Sequence, residues 1–123
     1  MKYMILIHSN PTTRELWEKF SDAEQSEGFQ AYAALDEALA ASGELIVSEA
    51  LADPALAKRV SVRDGRTMTS DGPYAEVKEH LAGFYLVECE SEGRAVEIAA
   101  QIPEAPYGVV EVRPVLELGG LEM

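Results

Sequence analysis

Leu81-Ala82-Gly83-Phe84-Tyr85-Leu86-Val87-Glu88 carries apolar residues at both odd and even positions, a pattern that a β-strand needs only when both of its faces are covered. It reads as a central strand of a sheet. Residues 2–8, Lys-Tyr-Met-Ile-Leu-Ile-His, repeat the pattern near the start of the chain. They are too short for a stable helix and rich in β-formers. Tyr3, Ile5 and Ile7 make one face, and Met4, Leu6 and His8 the other, so this is a second central strand.

The remaining elements are read outward from these two. Asn10-Pro11 reads as a turn. Ser21 with Glu24 three residues later is a capping box for a helix over 22–42, with Phe29, Tyr32, Leu35 and Leu39 as its buried stripe and Gly43 as its stop. Residues 44–51 form a strand through Leu45, Ile46 and Val47, followed by a loop at Asp53-Pro54. Arg59 to Arg63, the Asp64-Gly65 turn and Arg66 to Thr69 make a hairpin with one polar face, expected at an edge. Ser91 caps a short helix to about Ala100, and Gly108 to Pro114 is the last strand. Without the hairpin the order is β-α-β-β-α-β, so the expected class is α+β, ferredoxin-like with an extra β-hairpin. That topology puts the strands at 2–8 and 81–88 in the middle. Two helices cover one sheet face, and the apolar face left over predicts a homodimer.

With 123 residues and no linker or repeat, one domain over 1–123 is expected. Twenty-two acidic against ten basic residues give a net charge of −12. Both halves share the excess: five basic and ten acidic groups in 1–60, five and twelve in 61–123. No cationic stripe is available to neutralise phosphates, so nucleic acid is not an expected partner, and neither is an anionic membrane. The one cysteine, Cys89, has no internal partner, and His8 and His80 match no zinc spacing. No phosphate-binding loop or ligand cluster is present, so no cofactor or metal is expected. The N-terminal apolar run is shorter than a signal peptide's, and no stretch is long enough to cross a bilayer. The expected setting is cytoplasmic.

The most specific string is Asp71-Gly72-Pro73-Tyr74-Ala75-Glu76-Val77-Lys78-Glu79, running into Gly83-Phe84-Tyr85-Leu86-Val87-Glu88. It resembles the signature of the YCII-related (DGPF-domain) family, with Tyr74 in place of a phenylalanine and Ala82 in place of a glycine. Met1 to Met4 with the apolar run after it, Gly43 to Leu51 and Val110 to Pro114 extend the likeness over most of the chain. The resemblance implies a dimeric α+β barrel, in which two ferredoxin-like sheets pack face to face. It implies less about chemistry than about fold. Relatives include enzymes acting on small aromatic-derived or lactone substrates, and some have a proposed histidine–aspartate pair with the histidine on the first helix. Residues 21–42 contain no histidine, and Tyr32 lies nearest that position, so the pair does not carry over intact. DGPF-family proteins are often encoded beside extracytoplasmic-function sigma factors, which implies an alternative role as a non-catalytic accessory or regulatory module of transcription.

The site residues each have two readings. Asp71, Gly72 and Pro73 are turn chemistry. Together with Tyr74, Glu76 and Lys78 they are also a candidate polar pocket, in which Lys78 holds a small anionic ligand and Asp71 or Glu76 acts as base; the plain alternative is surface ion pairs. His8, at the end of a central strand, is a proton-transfer candidate or a rim histidine. Tyr32 belongs to the apolar stripe and, through the strand end, to the same pocket. Glu49 is a base if buried and merely faces water if its strand is an edge. These residues point to a small-molecule-binding homodimer with acid–base chemistry of isomerase, lyase or hydrolase type.

Overall fold

The structure is a computed structural model that describes residues 1–73 and 78–117. In chain order it contains β1 (Lys2–Ser9), α1 (Pro11–Lys19), α2 (Asp22–Ser42), β2 (Leu45–Ala50), β3 (Lys58–Arg63), β4 (Arg66–Asp71), β5 (His80–Glu88), α3 (Glu92–Ala99) and β6 (Val110–Pro114). Short 3₁₀ turns lie at Pro54–Leu56 and Ala105–Tyr107. The main sheet is antiparallel with strand order β2-β5-β1-β6. The architecture is the ferredoxin-like α+β arrangement, and the two strands with apolar residues on both faces are the central ones.

Register sorts the side chains. Tyr3 lies opposite Val87, and Ile5 lies opposite both Tyr85 and Val112, so these residues share one face. Leu35 and Leu39 of α2 and Ala95 and Ile98 of α3 close over that face in one cluster. Ile5, Leu39, Val87, Ile98 and Ile102 are fully buried, and each contributes about 2 kcal/mol by leaving water. On the reverse face Met4 pairs with Leu86, and Leu6 with Phe84. Among the described residues no helix covers these four, and they remain half-buried in the single chain.

α2 begins and ends as its sequence dictates. Ser21 accepts from the Glu24 amide at 3.2 Å while Glu24 accepts from the Ser21 amide at 2.9 Å, and Gly43 closes the helix at φ 79°, a left-handed conformation that glycine adopts without a Cβ penalty. α1 is a correction to the turn expected at Asn10-Pro11. Asn10 accepts from the Thr13 amide at 2.9 Å, and Thr13 Oγ1 accepts from the Asn10 amide at 3.0 Å. Pro11 opens the helix, where its missing N–H is not needed. Phe29 is a second correction: it is 64% exposed, because its ring meets Trp17 of α1 edge-on at 5.4 Å instead of entering the core. The hairpin, expected at an edge, forms a separate two-stranded sheet. Its turn has Asp64 and Gly65 at φ 51° and 75°, and every residue of its strands is exposed.

Gly83 is required by the sheet itself, since a Cβ there would stand 2.9 Å from the Glu49 carbonyl oxygen on β2. Among the described residues no helix is long and apolar enough to cross a membrane. The α2–β2 junction is tied to α3 by a two-pronged ion pair: Arg94 Nε donates to Glu44 Oε2 at 2.9 Å and Arg94 Nη2 donates to Oε1 at 2.8 Å. These bonds, helped by the Ser42 hydroxyl, hold the Glu44 carboxyl down at about 2. Stability from this group is therefore fully present above its ordinary value of 4.5 and lost as pH falls from there toward about 2. Glu44→Gln is expected to be less stable than the parent at neutral pH, and the difference should shrink across that acid window. Urea titrations at a series of pH values check this, and parallel acid limbs in the two proteins would contradict it.

Candidate functional site

The ends of β1 and β2 and the start of β5 meet at one end of the sheet. α1, the first half of α2 and the segment 103–107 rise around them and enclose a cleft of about 550 Å³. α1 forms one wall of this cleft: it has no buried residue, and Leu16 and Trp17 line the opening. Trp17 stands edge-on to Phe20 at 5.9 Å and to Phe29 at 5.4 Å, a geometry aromatic rings favour. Gly28 lets the indole approach α2, since a Cβ there would come within 3.4 Å of Trp17 Cζ3.

Most of the polar side chains that line the cleft are paired. His8 follows a register shift, with Ile7 opposite Gly83 but His8 opposite Leu81; an irregularity of this kind re-aims a side chain at a strand end. His8 lines the cleft, and its Nε2 lies 2.7 Å from Glu111 Oε1 on β6. A carboxylate can only accept, so Nε2 carries the hydrogen, and in the neutral imidazole the lone pair is then on Nδ1. Deeper in, the Tyr32 hydroxyl donates to Glu104 and the Tyr85 hydroxyl donates to Asp36. The Tyr32 and Tyr85 rings stack with centroids 6.5 Å apart, so four side chains from α2, β5 and the 103–107 segment form one network. Burial, then the Glu104 hydrogen bond, pushes the Tyr32 phenol above its ordinary range; burial and Asp36 do the same to Tyr85. Burial also raises the Glu104 carboxyl. Arg14 Nη2 donates to Asp53 Oδ2 at 2.9 Å on the cleft rim.

Of the residues expected from sequence, the structure brings His8 and Tyr32 together in this cleft. Glu49 is on the edge strand β2 and faces water. Asp71 pairs with Lys58 across the hairpin and is exposed. Gly72 takes φ 74°, with its amide donating to the Ala57 carbonyl at 2.7 Å. Lys78 is exposed and lines neither this cleft nor its neighbour. Tyr74 and Glu76 lie outside the described residues. Pro73, Glu79 and His80 line a second cleft of about 480 Å³, which shares Leu51 to Pro54 and Leu81 with the first. Among the described residues no group of three or more His, Cys, Asp or Glu could hold a metal ion. Cys89 is buried, its Sγ 3.4 Å from the Ser91 carbonyl.

Sequence reasoning missed Trp17, Asp36, Glu104 and Glu111. The spacing of Leu16, Trp17 and Phe20 behind Asn-Pro was a usable signal for the first. Asp36 stands one helical turn after Tyr32, and Glu111 alternates with Val110 and Val112 on β6. Glu104, between two prolines in an irregular segment, carried no signal.

The family model of the YCII-related domain matches residues 1–119. An uncharacterized protein of Rhizobium meliloti (strain 1021) is 30% identical over 116 residues, which is 93% of this chain and 91% of that protein. The chain belongs to the YCII-related family.

The His8–Glu111 geometry predicts one imidazole tautomer. Long-range proton–nitrogen NMR spectra at pH 8 should show His8 protonated at Nε2, with Glu111→Gln weakening that preference. A His8 protonated at Nδ1 in the parent protein would contradict the assignment.

Proposed function

We propose that this member of the YCII-related family is a homodimer that binds a small organic molecule in the cleft at the end of β1 and moves a proton on it, with His8 as the base. The observation that carries this reading is the convergence of His8 and the Tyr32–Glu104 pair on one aromatic-walled cavity of about 550 Å³. Mostly apolar walls with a few convergent polar groups are what small-molecule sites share. In the proposed chemistry Nδ1 takes a proton from a C–H or O–H of the ligand, and the Glu111 carboxylate stabilises the imidazolium that forms. Return of the proton to another atom of the ligand gives isomerisation, and its delivery to a leaving group gives a lyase elimination; if the base takes its proton from a water molecule, the water oxygen bonds to the ligand and the leaving group departs with the proton, which is hydrolysis. Asp71 and Lys78 do not enter this chemistry, because Asp71 is engaged by Lys58 and neither lines the cleft. A cytoplasmic setting goes with the reading, since Cys89 has no disulfide partner in the chain.

The chain's one tryptophan, Trp17, lines the cleft and reports on it. Phenethyl alcohol, a small neutral probe, should change Trp17 emission saturably. Gly28→Leu, which fills the space beneath the indole, should weaken that binding about tenfold or more. Equal binding by the parent and the variant would refute the cleft as the site.

The dimer is supported by Met4, Leu6, Phe84 and Leu86, which form a contiguous apolar face that no element among the described residues covers. A second copy laid on the same face buries it with two-fold symmetry. Sedimentation equilibrium at micromolar concentration is expected to give twice the chain mass of 13.4 kDa, and Leu6→Glu is expected to shift the protein toward monomer. A parent protein found only at 13.4 kDa would exclude the dimer.

A further inference from the structure

We propose that the cleft selects organic cations, a protonated amine or quaternary ammonium on an apolar body, with Glu104 as counter-ion and Trp17, Phe29 and Tyr107 as the aromatic wall. The inference rests on the reading of this cleft as a small-molecule site and names its ligand class.

The charges lining the cleft are unbalanced. Among the described residues its one cationic side chain besides the histidine is Arg14, which is committed to Asp53 at 2.9 Å. Three further carboxylates remain: Glu18, Glu24 and Glu104. Glu18 is exposed to water. Glu24 is occupied at the start of α2, where it accepts from the Ser21 amide at 2.9 Å. Glu104 is different, being half-buried with neutral partners, the Tyr32 hydroxyl and its own backbone amide, and with no ion pair to a cation among the described residues. A carboxylate withdrawn from water without a counter-charge is costly to keep ionised, which agrees with the upward push on its carboxyl. A ligand cation would supply the missing charge.

The walls agree with the charge. Trp17, Phe29 and Tyr107 are 38%, 64% and 46% exposed, so large aromatic surfaces lie open on the cleft. Aromatic faces attract cations through their quadrupole, most strongly where water is excluded. The chain's net charge of −12 draws cations toward any opening and repels anions. An anionic ligand in this cleft would meet Glu104, while Arg14, the cation lining it among the described residues, is held by Asp53.

Three probes of one shape and different charge separate the outcomes: phenethylamine as the cation, phenethyl alcohol as the neutral form and phenylacetate as the anion, each titrated against Trp17 emission at neutral pH. The amine is expected to bind about tenfold tighter than the alcohol, and phenylacetate weakest. Glu104→Gln should bring the amine to the level of the alcohol measured on the same variant, with circular dichroism confirming the fold. Phenylacetate binding as tightly as the amine would overturn the inference, and so would an amine preference that survives Glu104→Gln. The ranking on the unaltered chain decides the question even if the variant does not fold. Saturable alcohol binding without amine preference overturns the charge assignment alone, whereas no response to any probe overturns both it and the small-molecule reading.

Discussion

The antiparallel pairing of β1 with β5 is the constraint from which the rest of the molecule follows. With Tyr3 opposite Val87 and Ile5 opposite Tyr85, one face of both strands is committed to α2 and α3. A slip of one residue would turn that entire set outward, so the apolar pattern fixes the register along with the fold. The same pairing leaves Met4, Leu6, Phe84 and Leu86 together on the other face. It also sets where β1 ends. The register shift after Ile7 comes where the sheet stops and the cleft begins, and it delivers His8 beside Glu111.

The network behind the cleft depends on the same register. Tyr85 points into the core because it lies opposite Ile5, and this puts its hydroxyl within reach of Asp36 on α2 and its ring against Tyr32. Tyr32 can then hold Glu104 from a segment with no regular strand or long helix of its own. Satisfied buried polar groups of this kind specify geometry more than they add stability. Their effect here is to fix one wall of the cleft to the core, while the opposite wall, α1, has no buried residue and is held mainly by its cap and its aromatic contacts.

Much of this was legible in the sequence where one local cause acted alone. Apolar residues on both parities identified β1 and β5 as central, Ser21 with Glu24 started α2, and Asp64-Gly65 turned the hairpin. Where two causes competed, the reading failed. Asn10-Pro11 serves a turn and a helix start equally well, and the deciding bond comes from Thr13, whose side chain is not the usual Glu or Gln of a capping box. Once α1 was missed, Phe29 had no partner but the core, and it was assigned there. Of the residues gathered at the cleft, those legible in the sequence sit on regular elements, His8 and Tyr32. Glu104 and Glu111 reach them through contacts across 72 and 103 positions of chain, which no local pattern encodes. The loop signature drew attention to Asp71 and Lys78, but Asp71 is spoken for by Lys58 and Lys78 stands in solvent.

The central claim is that ligands enter at the end of β1, between α1 and α2. Backbone amide shifts recorded while phenethylamine is titrated into the labelled protein test it most directly. The account predicts that the perturbed amides cluster at His8 and Ser9, along α1, at Gly28 to Tyr32 and at Glu104 to Tyr107. Perturbations concentrated instead at Asp71 to His80, with α1 and His8 unmoved, would contradict it.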